Sequence, residues 1–524
     1  MKSKFFVVAA LFLAGIHGTS AAIINAASGS FGDVSVAVLK AAQGDTVVIP
    51  AGTNTWTGTM IISGITLQGA GVNQTVIRDE TPIPPNGNGT PFLQMNTVPN
   101  AITRVTQIQF MQGIVNTIAS NPYNYAGNVV IYGGSSNWRI DNSEFNLLTG
   151  KNILVYDDSF GLVDHNIFMT YNRIAVEVHG VGFGDADWAA PTQFGSANAV
   201  YIEDNYFSDA NNFGAIDISN GGRAVFRHNT MYGSYFNTHG TETSQRYRSS
   251  RYVEIYNNNF NWGGGQQYNN FFTVVDIRGG SAVIFSNTAV GFWAFGTVDY
   301  YRGTDNDPNF LPYFGATGER GWDSNGPVLL SGTASVTSNA LIVAGANWTS
   351  NQWVGCTVYN FNDQLCGIVG GNSANKIQLI SSRTASLQET FKQGDSFEIH
   401  HIYPMMDQPG TGQGTLLSGD SPTPVWLNEK IEPVYTWGNS LFTVYQTPSQ
   451  QVGQTGSSYP NLVQGRDFIN GVPRPGYTPF TYPHPLTLIT NAITSTNLVV
   501  NPPPTPTNSP SILAPPTGLK AQGL

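Results

Sequence analysis

An all-β solenoid, a coil of short strands stacked rung upon rung, is the fold class this sequence predicts, and three observations predict it. The first is composition. The 524-residue chain holds 58 Gly and 12% aromatics against only 11% charged residues, which suits many short strands joined by turns and leaves little material for long Glu/Lys helices. The second is a repeat with an uneven period. IDNSEF (140–145), VDHNIF (163–168), IEDNYF (202–207), FRHNTM (226–231), IYNNNF (255–260) and IFSNTA (284–289) share an apolar-x-x-Asn-x-apolar pattern. Their fourth position is Ser143, then Asn166, Asn205, Asn229, Asn258 and Asn287, at gaps of 23, 39, 24, 29 and 29 residues. Rungs of about three short strands place equivalent side chains above one another. Asn suits such a column because its amide both donates and accepts and it tolerates tight-turn geometry. The third is the alternation that precedes each motif, in IAVEVHG (174–180), GAIDISN (214–220), YFNTHG (235–240) and VVDIRGG (274–280).

From the N-terminus, residues 1–22 combine two Lys, an apolar run from Phe5 to Ile16 and small residues at Ser20 and Ala22. That order predicts a cleaved signal peptide and a secreted, extracellular protein. No second apolar run is long enough to span a bilayer. Residues 23–326 are the expected coil. Residues 327–401 break its pattern, and ALIVAGANW, WVGCTVYNF, CGIVGG, NKIQLISS and DSFEIHHI predict a small antiparallel β insertion. Residues 402–500 return to the coil at EPVYTWGNSLFTVY, and the Pro- and aromatic-rich NGVPRPGYTPFTYPHPLTLI (470–489) suits a cap over its open end. Residues 501–524, with seven prolines, are an extended linker or tail. Cys356 and Cys366 are the only two cysteines; either a local disulfide or two thiols fits them, and neither staples a fold of this length.

Chemistry concentrates on one edge. Alternation buries Val176/Val178, Ile216/Ile218 and Val275/Ile277 and sends Glu177, Asp217, Asn237 and Asp276 outward in one column. His179, Ser219, His239 and Arg278 form the next. Like charges on adjacent rungs repel, so the acidic column requires a counter-charge; Ca²⁺ held by Glu177, Asp217 and Asp276 would supply it. The two largest insertions, residues 179–197 and the cation-rich FNTHGTETSQRYRSSR (236–251), leave the same edge on either side of the short turn after Asp217. They would wall a groove floored by the acidic column. The net charge of −10 excludes a general nucleic-acid binder, while Arg223, Arg246, Arg248 and Arg251 supply a local site for anionic groups.

GDTVVIPAGTNTWTGTMIISGITLQGAGVNQTVI (44–77), together with the Asn rungs, resembles the pectin-lyase-like superfamily over residues 23–326. That resemblance implies a right-handed parallel β-helix, a fold that serves lyases, hydrolases, epimerases and adhesins alike. QRYRSSRYVEIYNNNF (245–260), preceded by AVFRHNTM (224–231), is similar to the family-one pectate lyases, which carry Arg-x-Pro-x-x-Arg before a strand ending in Asn-Asn-aromatic. The similarity implies Arg246 as Brønsted base and Arg251 as substrate-carboxylate binder, with Asn257 and Asn258 as the Asn pair. Arg248 stands where the family has proline, which makes it a rival base, and the link from Arg251 to the Asn pair is shorter by about two residues. His239 is a candidate proton donor. Arg223, Arg278, His179 and Trp188 are candidate substrate-binding residues, with Trp188 positioned to stack on a sugar.

The expected function is a secreted, monomeric lyase that cleaves an acidic polysaccharide by Ca²⁺-assisted β-elimination. Two alternatives use the same residues. A glycoside hydrolase would use Glu177, Asp217 and Asp276 as its carboxylates, since outward groups one or two rungs apart approach retaining and inverting separations. A carbohydrate-binding surface protein would use the aromatics alone.

Overall fold

The computed structural model describes residues 21–84, 89–120, 126–209, 214–240, 248–263, 273–292, 294–298, 328–354, 356–363, 365–380, 390–401, 407–413, 430–442, 452–454 and 464–489. The expected signal peptide and Pro-rich tail lie outside these residues, apart from Ala21 and Ala22.

Three long sheets form a right-handed parallel β-helix, with twelve, ten and ten strands among the described residues, and every strand pair within them is parallel. One rung shows the path of all. Gly127–Tyr132 lies in sheet III, Trp138–Asp141 in sheet I, Glu144–Asn146 in sheet II, and Lys151–Val155 begins the next rung in sheet III. Consecutive strands belong to different sheets, so each strand finds its partner one rung away, and no side chain can shift without moving its row.

The corner between sheets I and II fixes the register. Asn166, Asn205, Asn229, Asn258 and Asn287 stack there, each nearly fully buried. The Oδ1 of each accepts from the backbone N–H of the preceding member, at 2.9 Å for Asn166 to Asn205, Asn205 to Asn229 and Asn229 to Asn258. The Nδ2 of each donates to a sheet I carbonyl one rung back, as Asn229 does to Ile202 at 2.8 Å. Ser143 begins the column, donating its backbone N–H to Asn166 at 3.0 Å, and Asn439 continues it beyond the insertion by accepting from Asn287 at 3.0 Å. The residue before each ladder member has positive φ, among them Asn142 (48°), His165 (54°), Asp204 (57°), His228 (56°) and Asn257 (56°). The Asn257–Asn258 pair is therefore one corner residue and one ladder residue.

Inside the coil the apolar positions of sheet II form a phenylalanine column. Phe110, Phe145, Phe168 and Phe207 are paired in register, with ring centroids 5.4, 4.9 and 4.8 Å apart. A helix absent from the sequence reading, Phe31–Lys40, covers the N-terminal end of this core with Val34 and Ala37. Its start is capped by Ser30, whose hydroxyl accepts from the Asp33 N–H at 3.2 Å.

The insertion forms a six-stranded antiparallel sheet from Leu330–Thr333 to Ser396–His401, with a core of its own around Val358, Ile377 and Phe397. Cys356 is a buried free thiol within it, and Cys366 lies opposite Tyr359, not opposite Cys356, in the strand pairing. The coil then resumes at Val434–Trp437. The Pro/aromatic segment differs from its expected place. After Phe468–Asn470 closes sheet I, it runs back along the outer face of that sheet as a strap. Tyr477 donates to Glu254 at 2.6 Å. The fully buried Arg227 donates to the carbonyls of Phe480 and Thr481 at 2.8 Å, and Arg139 reaches those of Leu486 and Thr487 at 3.4 Å. An outward row of ring faces and charges on sheet I, Glu203, Arg227, Tyr256, Phe285 and Trp437 in register, holds this strap better than a coil end would.

Asn229→Ala removes a ladder member with two neighbours and strands several buried partners. We expect a loss of about 3–5 kcal/mol, read as a drop in thermal midpoint. An unchanged midpoint would show that the strands alone hold the register.

Candidate functional site

Sheet III carries the acidic column where alternation placed it. Val176, Val178, Ile216, Ile218, Val275 and Ile277 belong to the core, and Glu177, Asp217, Asn237 and Asp276 are paired in sequence on the outside. Outward does not mean solvated. Glu177, Asp217 and Asp276 are only 4%, 2% and 3% exposed, because cations and imidazoles lie over them.

Each carboxylate has its own partner. Lys151 Nζ lies 2.5 Å from Glu177 Oε2, and His179 Nε2 lies 2.5 Å from Oε1. Burial alone would raise the Glu177 carboxyl, but the Lys151 charge and the His179 hydrogen bond overcome it and hold the group well below the usual carboxylate range. His179 is fixed at its other nitrogen by Asn220 Nδ2 at 3.3 Å and on its face by the edge of Tyr156. One rung along, His239 Nδ1 lies 2.8 and 2.7 Å from the two Asp217 oxygens, and Asn237 Nδ2 donates to Asp217 at 3.3 Å. In the next rung Arg278 Nε lies 3.8 Å from Asp276 and donates to the Thr238 carbonyl at 2.6 Å. The counter-charge that the column requires is thus supplied by Lys151, His179, His239 and Arg278.

Ca²⁺ takes six to eight oxygen ligands, and among the described residues no three His, Cys, Asp or Glu side chains converge on a point. Glu177, Asp217 and Asp276 stand in a row, each directed at a different cationic group. As these side chains stand, the donor set is not gathered for the ion, and the expectation of Ca²⁺ at Glu177, Asp217 and Asp276 finds no support in it.

The cationic loop is also not what its composition suggested. Asn220 and Gly221 donate their N–H groups to the carbonyls of Arg248 and Ser249 at 3.0 and 2.7 Å, and Arg248 N–H donates to Phe183 O at 2.9 Å. The described end of the second loop, from Arg248, therefore lies over the turn after Asp217 and against the first loop. Arg248 is 1% exposed and forms a bidentate pair with Asp407 at 2.7 and 2.6 Å, its guanidinium 4.7 Å above the Trp188 ring. Arg251, with no exposure, donates to the Asp187 and Ala190 carbonyls and pairs with Glu432 at 2.6 Å. Trp188 is equally buried and donates to Ser249 O at 3.1 Å. Arg223 pairs with Asp187 at 2.6 Å. These are the internal fastenings of the loops. Arg248 as a base, Arg251 and Arg223 as carboxylate binders and Trp188 as a sugar platform are all corrected by burial: no substrate group reaches them. Arg246 lies outside the described residues.

Beneath the loops sits one unusual acid. Asp187 is 1% exposed. Burial, then the neighbouring Asp158, pushes its carboxyl up to about 7 against the opposing pull of Arg223. Two acids share one arginine there, so protonation relieves the repulsion.

Two features of this site were beyond sequence reasoning. Asp407 and Glu432 follow the loop by 159 and 181 residues, on the far side of an insertion, with nothing local to mark them. Lys151 carried a usable signal, as a lone cation opening the strand KNILV beside the acidic column.

No family model matches the chain, and no curated protein matches it. Solved structures do resemble it. An alginate lyase from Paenibacillus sp. str. FPU-7 is 15% identical, over 53% of this chain and 90% of that one, at a TM-score of 0.34. A variant of a PL6 family alginate lyase is 15% identical, over 54% and 46%, at 0.30. The catalytic domain of a GH87 alpha-1,3-glucanase in complex with nigerose is 12% identical, over 55% and 59%, at 0.22. Likeness at this level concerns the fold and says nothing of chemistry.

Two outcomes follow from the burial of the loop. Arg248→Ala leaves Asp407 buried without its charge partner and should cost about 3–5 kcal/mol of stability, read as a lower thermal midpoint; a change in turnover at full stability would return Arg248 to the chemistry. Asp187, raised above its unfolded value, weakens the fold progressively as pH rises from the ordinary carboxylate range through about 7. Asp158→Asn removes the repulsion, so thermal midpoints measured across that window should fall less with rising pH than in the parent. An identical slope in both proteins would refute the coupling.

Proposed function

We propose that this chain is an exported carbohydrate-active enzyme that cleaves an acidic, uronate-containing polysaccharide by β-elimination on the outer face of sheet III. The observation that carries the proposal is the His239–Asp217 pair, an imidazole with 21% of its side chain exposed, held by a carboxylate with 3%. An imidazole oriented through Nδ1 by a buried acid and partly open to solvent is suited to proton transfer, and the acid stabilises the imidazolium that forms.

Elimination asks little more of a protein. A base removes the proton on the carbon beside the uronate carboxylate, the electron pair forms a carbon–carbon double bond, and the bond to the glycosidic oxygen breaks. The departing oxygen then takes up a proton. His239 can accept the first proton and return it to the leaving oxygen. Lys151, with 22% of its side chain exposed, is the positive group along the same face that favours an anionic substrate and the carbanion-like transition state. A hydrolase would need one protonated and one ionised carboxyl open to the same bond. Glu177 is held ionised, and Asp187, whose carboxyl burial raises, is buried. Among the described residues no helix is long and apolar enough to cross a membrane, and export itself rests on the composition of residues 1–22.

The test is an assay of the purified protein on polygalacturonate, alginate and hyaluronan, following the ultraviolet absorbance of the unsaturated product beside the release of reducing ends. Absorbance rising with reducing ends supports a lyase; reducing ends alone support a hydrolase. His239→Ala should lower kcat by about 10²–10⁴ with an unchanged thermal midpoint. A His239→Ala enzyme at parental rate would overturn the assignment.

A further inference from the structure

Upstream of His179 its row on sheet III is aromatic. Ile131, Val155 and Val178 are paired in register, so Tyr132, Tyr156 and His179 follow one another on successive rungs, and Ser219 pairs with His179 in the next. His239 lies one rung beyond Ser219. The Tyr132 and Tyr156 rings are parallel to within 4°, their centroids 5.1 Å apart, and Tyr156 meets His179 edge-on at 5.0 Å. The row from these rings to the proposed reaction centre follows the helix axis.

A second outward ladder shows what such rings do when their purpose is structural. On sheet I, Tyr256, Phe285 and Trp437 stack at 4.7 and 4.5 Å. The chain covers them itself: Tyr477 of the strap packs edge-on against Phe285 and Trp437 at 5.7 and 6.2 Å. The sheet III rings, both half-buried, lie on a different face from the strap. The turn beside Tyr132 is built of Gly133 and Gly134, at φ of 116° and 64°. A side chain at Gly133 would meet Thr97 O at 2.7 Å, so the turn lies flat against its neighbour and raises no wall beside the ring.

We infer that Tyr132 and Tyr156 form a sugar-binding subsite for the non-reacting end of the polysaccharide chain, which lies along the helix axis with its scissile bond at His239. The inference rests on the proposed function for the identity of its ligand. Because the rings stack on one another, they meet a chain running along the axis with their edges and phenol groups, which suit the hydroxyls of pyranose rings. The exposed Asp157 beside Tyr132 disfavours a carboxylate there, so this end of the site recognises the sugar by its hydroxyl face.

The experiment is binding by affinity electrophoresis and by calorimetry, with polygalacturonate, alginate and hyaluronan as the probes, on the His239→Ala protein alone and with Tyr132→Ala or Tyr156→Ala added. The expected result is a Kd raised about tenfold by each tyrosine change, with partial recovery in Tyr132→Phe, which keeps the ring edge. In the active enzyme the same changes should raise KM on polymer and leave kcat unchanged, and the effect should vanish on the shortest cleavable oligosaccharide. Binding that survives both alanine changes overturns the subsite and leaves the enzyme proposal intact. Binding that depends on the tyrosines in a protein without lyase activity supports the subsite and overturns the enzyme proposal. Failure of the His239→Ala protein to bind any of the three probes overturns the subsite outright.

Discussion

From Asn166 onward, a buried amide at one corner of each rung hydrogen-bonds to its neighbours, and the placement of the outward side chains on those rungs depends on that contact. Parallel strands separated by a whole turn of coil have no hairpin to set their register, and a slip of one residue would turn the core face outward. The ladder from Ser143 to Asn439 removes that freedom, because each Oδ1 must meet one particular N–H and each Nδ2 one particular carbonyl. Leaving either unmet inside the coil costs more than a slip could return. With register locked at the corner, rows on all three sheets stay in line. A row of Glu177, Asp217, Asn237 and Asp276 is a consequence of the ladder before it is a feature of any site.

This is also why the coil was legible and its edges were not. Period, alternation and corner residues are local properties, repeated often enough to stand out, and they placed Glu177 beside Asp217 and His179 beside Ser219 as the strand pairing has them. The loops obey no period. Arg248 and Arg251 looked like a free cationic edge because their partners, Asp407 and Glu432, come from beyond a six-stranded insertion. Nor could alternation reveal that Lys151 and His179 would close over Glu177. Which face a side chain takes can be read from a strand's own sequence; what then covers it depends on segments elsewhere in the chain.

The scarcity of charge gives those pairings their weight. In a chain with few ionisable groups, a buried arginine without a partner would have nothing nearby to compensate it, and desolvation would dominate. The structure answers with geometry: two-point contact at Asp407, backbone carbonyls around Arg251, and a carboxylate, a phenol and two carbonyls around Arg227. Both the loop closure and the strap are fastened by guanidinium groups whose planar donors match several acceptors at once. Two aromatic platforms, Trp188 under Arg248 and Tyr201 under Arg227, at 4.7 Å each, complete the same solution in two places.

Once the arginines are accounted for as fasteners, the division of labour between faces follows. Sheet I is sealed by the strap, the turn after Asp217 is sealed by the loops, and sheet II lines the core with its phenylalanine column. Sheet III keeps imidazoles partly open above buried acids, His179 at 12% and His239 at 21% side-chain exposure. Burial of the acids and partial exposure of the imidazoles is the combination proton transfer requires. A fully solvated carboxylate would orient its imidazole weakly, and a fully buried imidazole would meet no substrate. The coil provides it at small cost, because an outward acid on one strand lies within reach of a longer side chain on the next. Reactive character on this face thus comes from the spacing of rungs, and the loops that first drew notice serve to hold that spacing still.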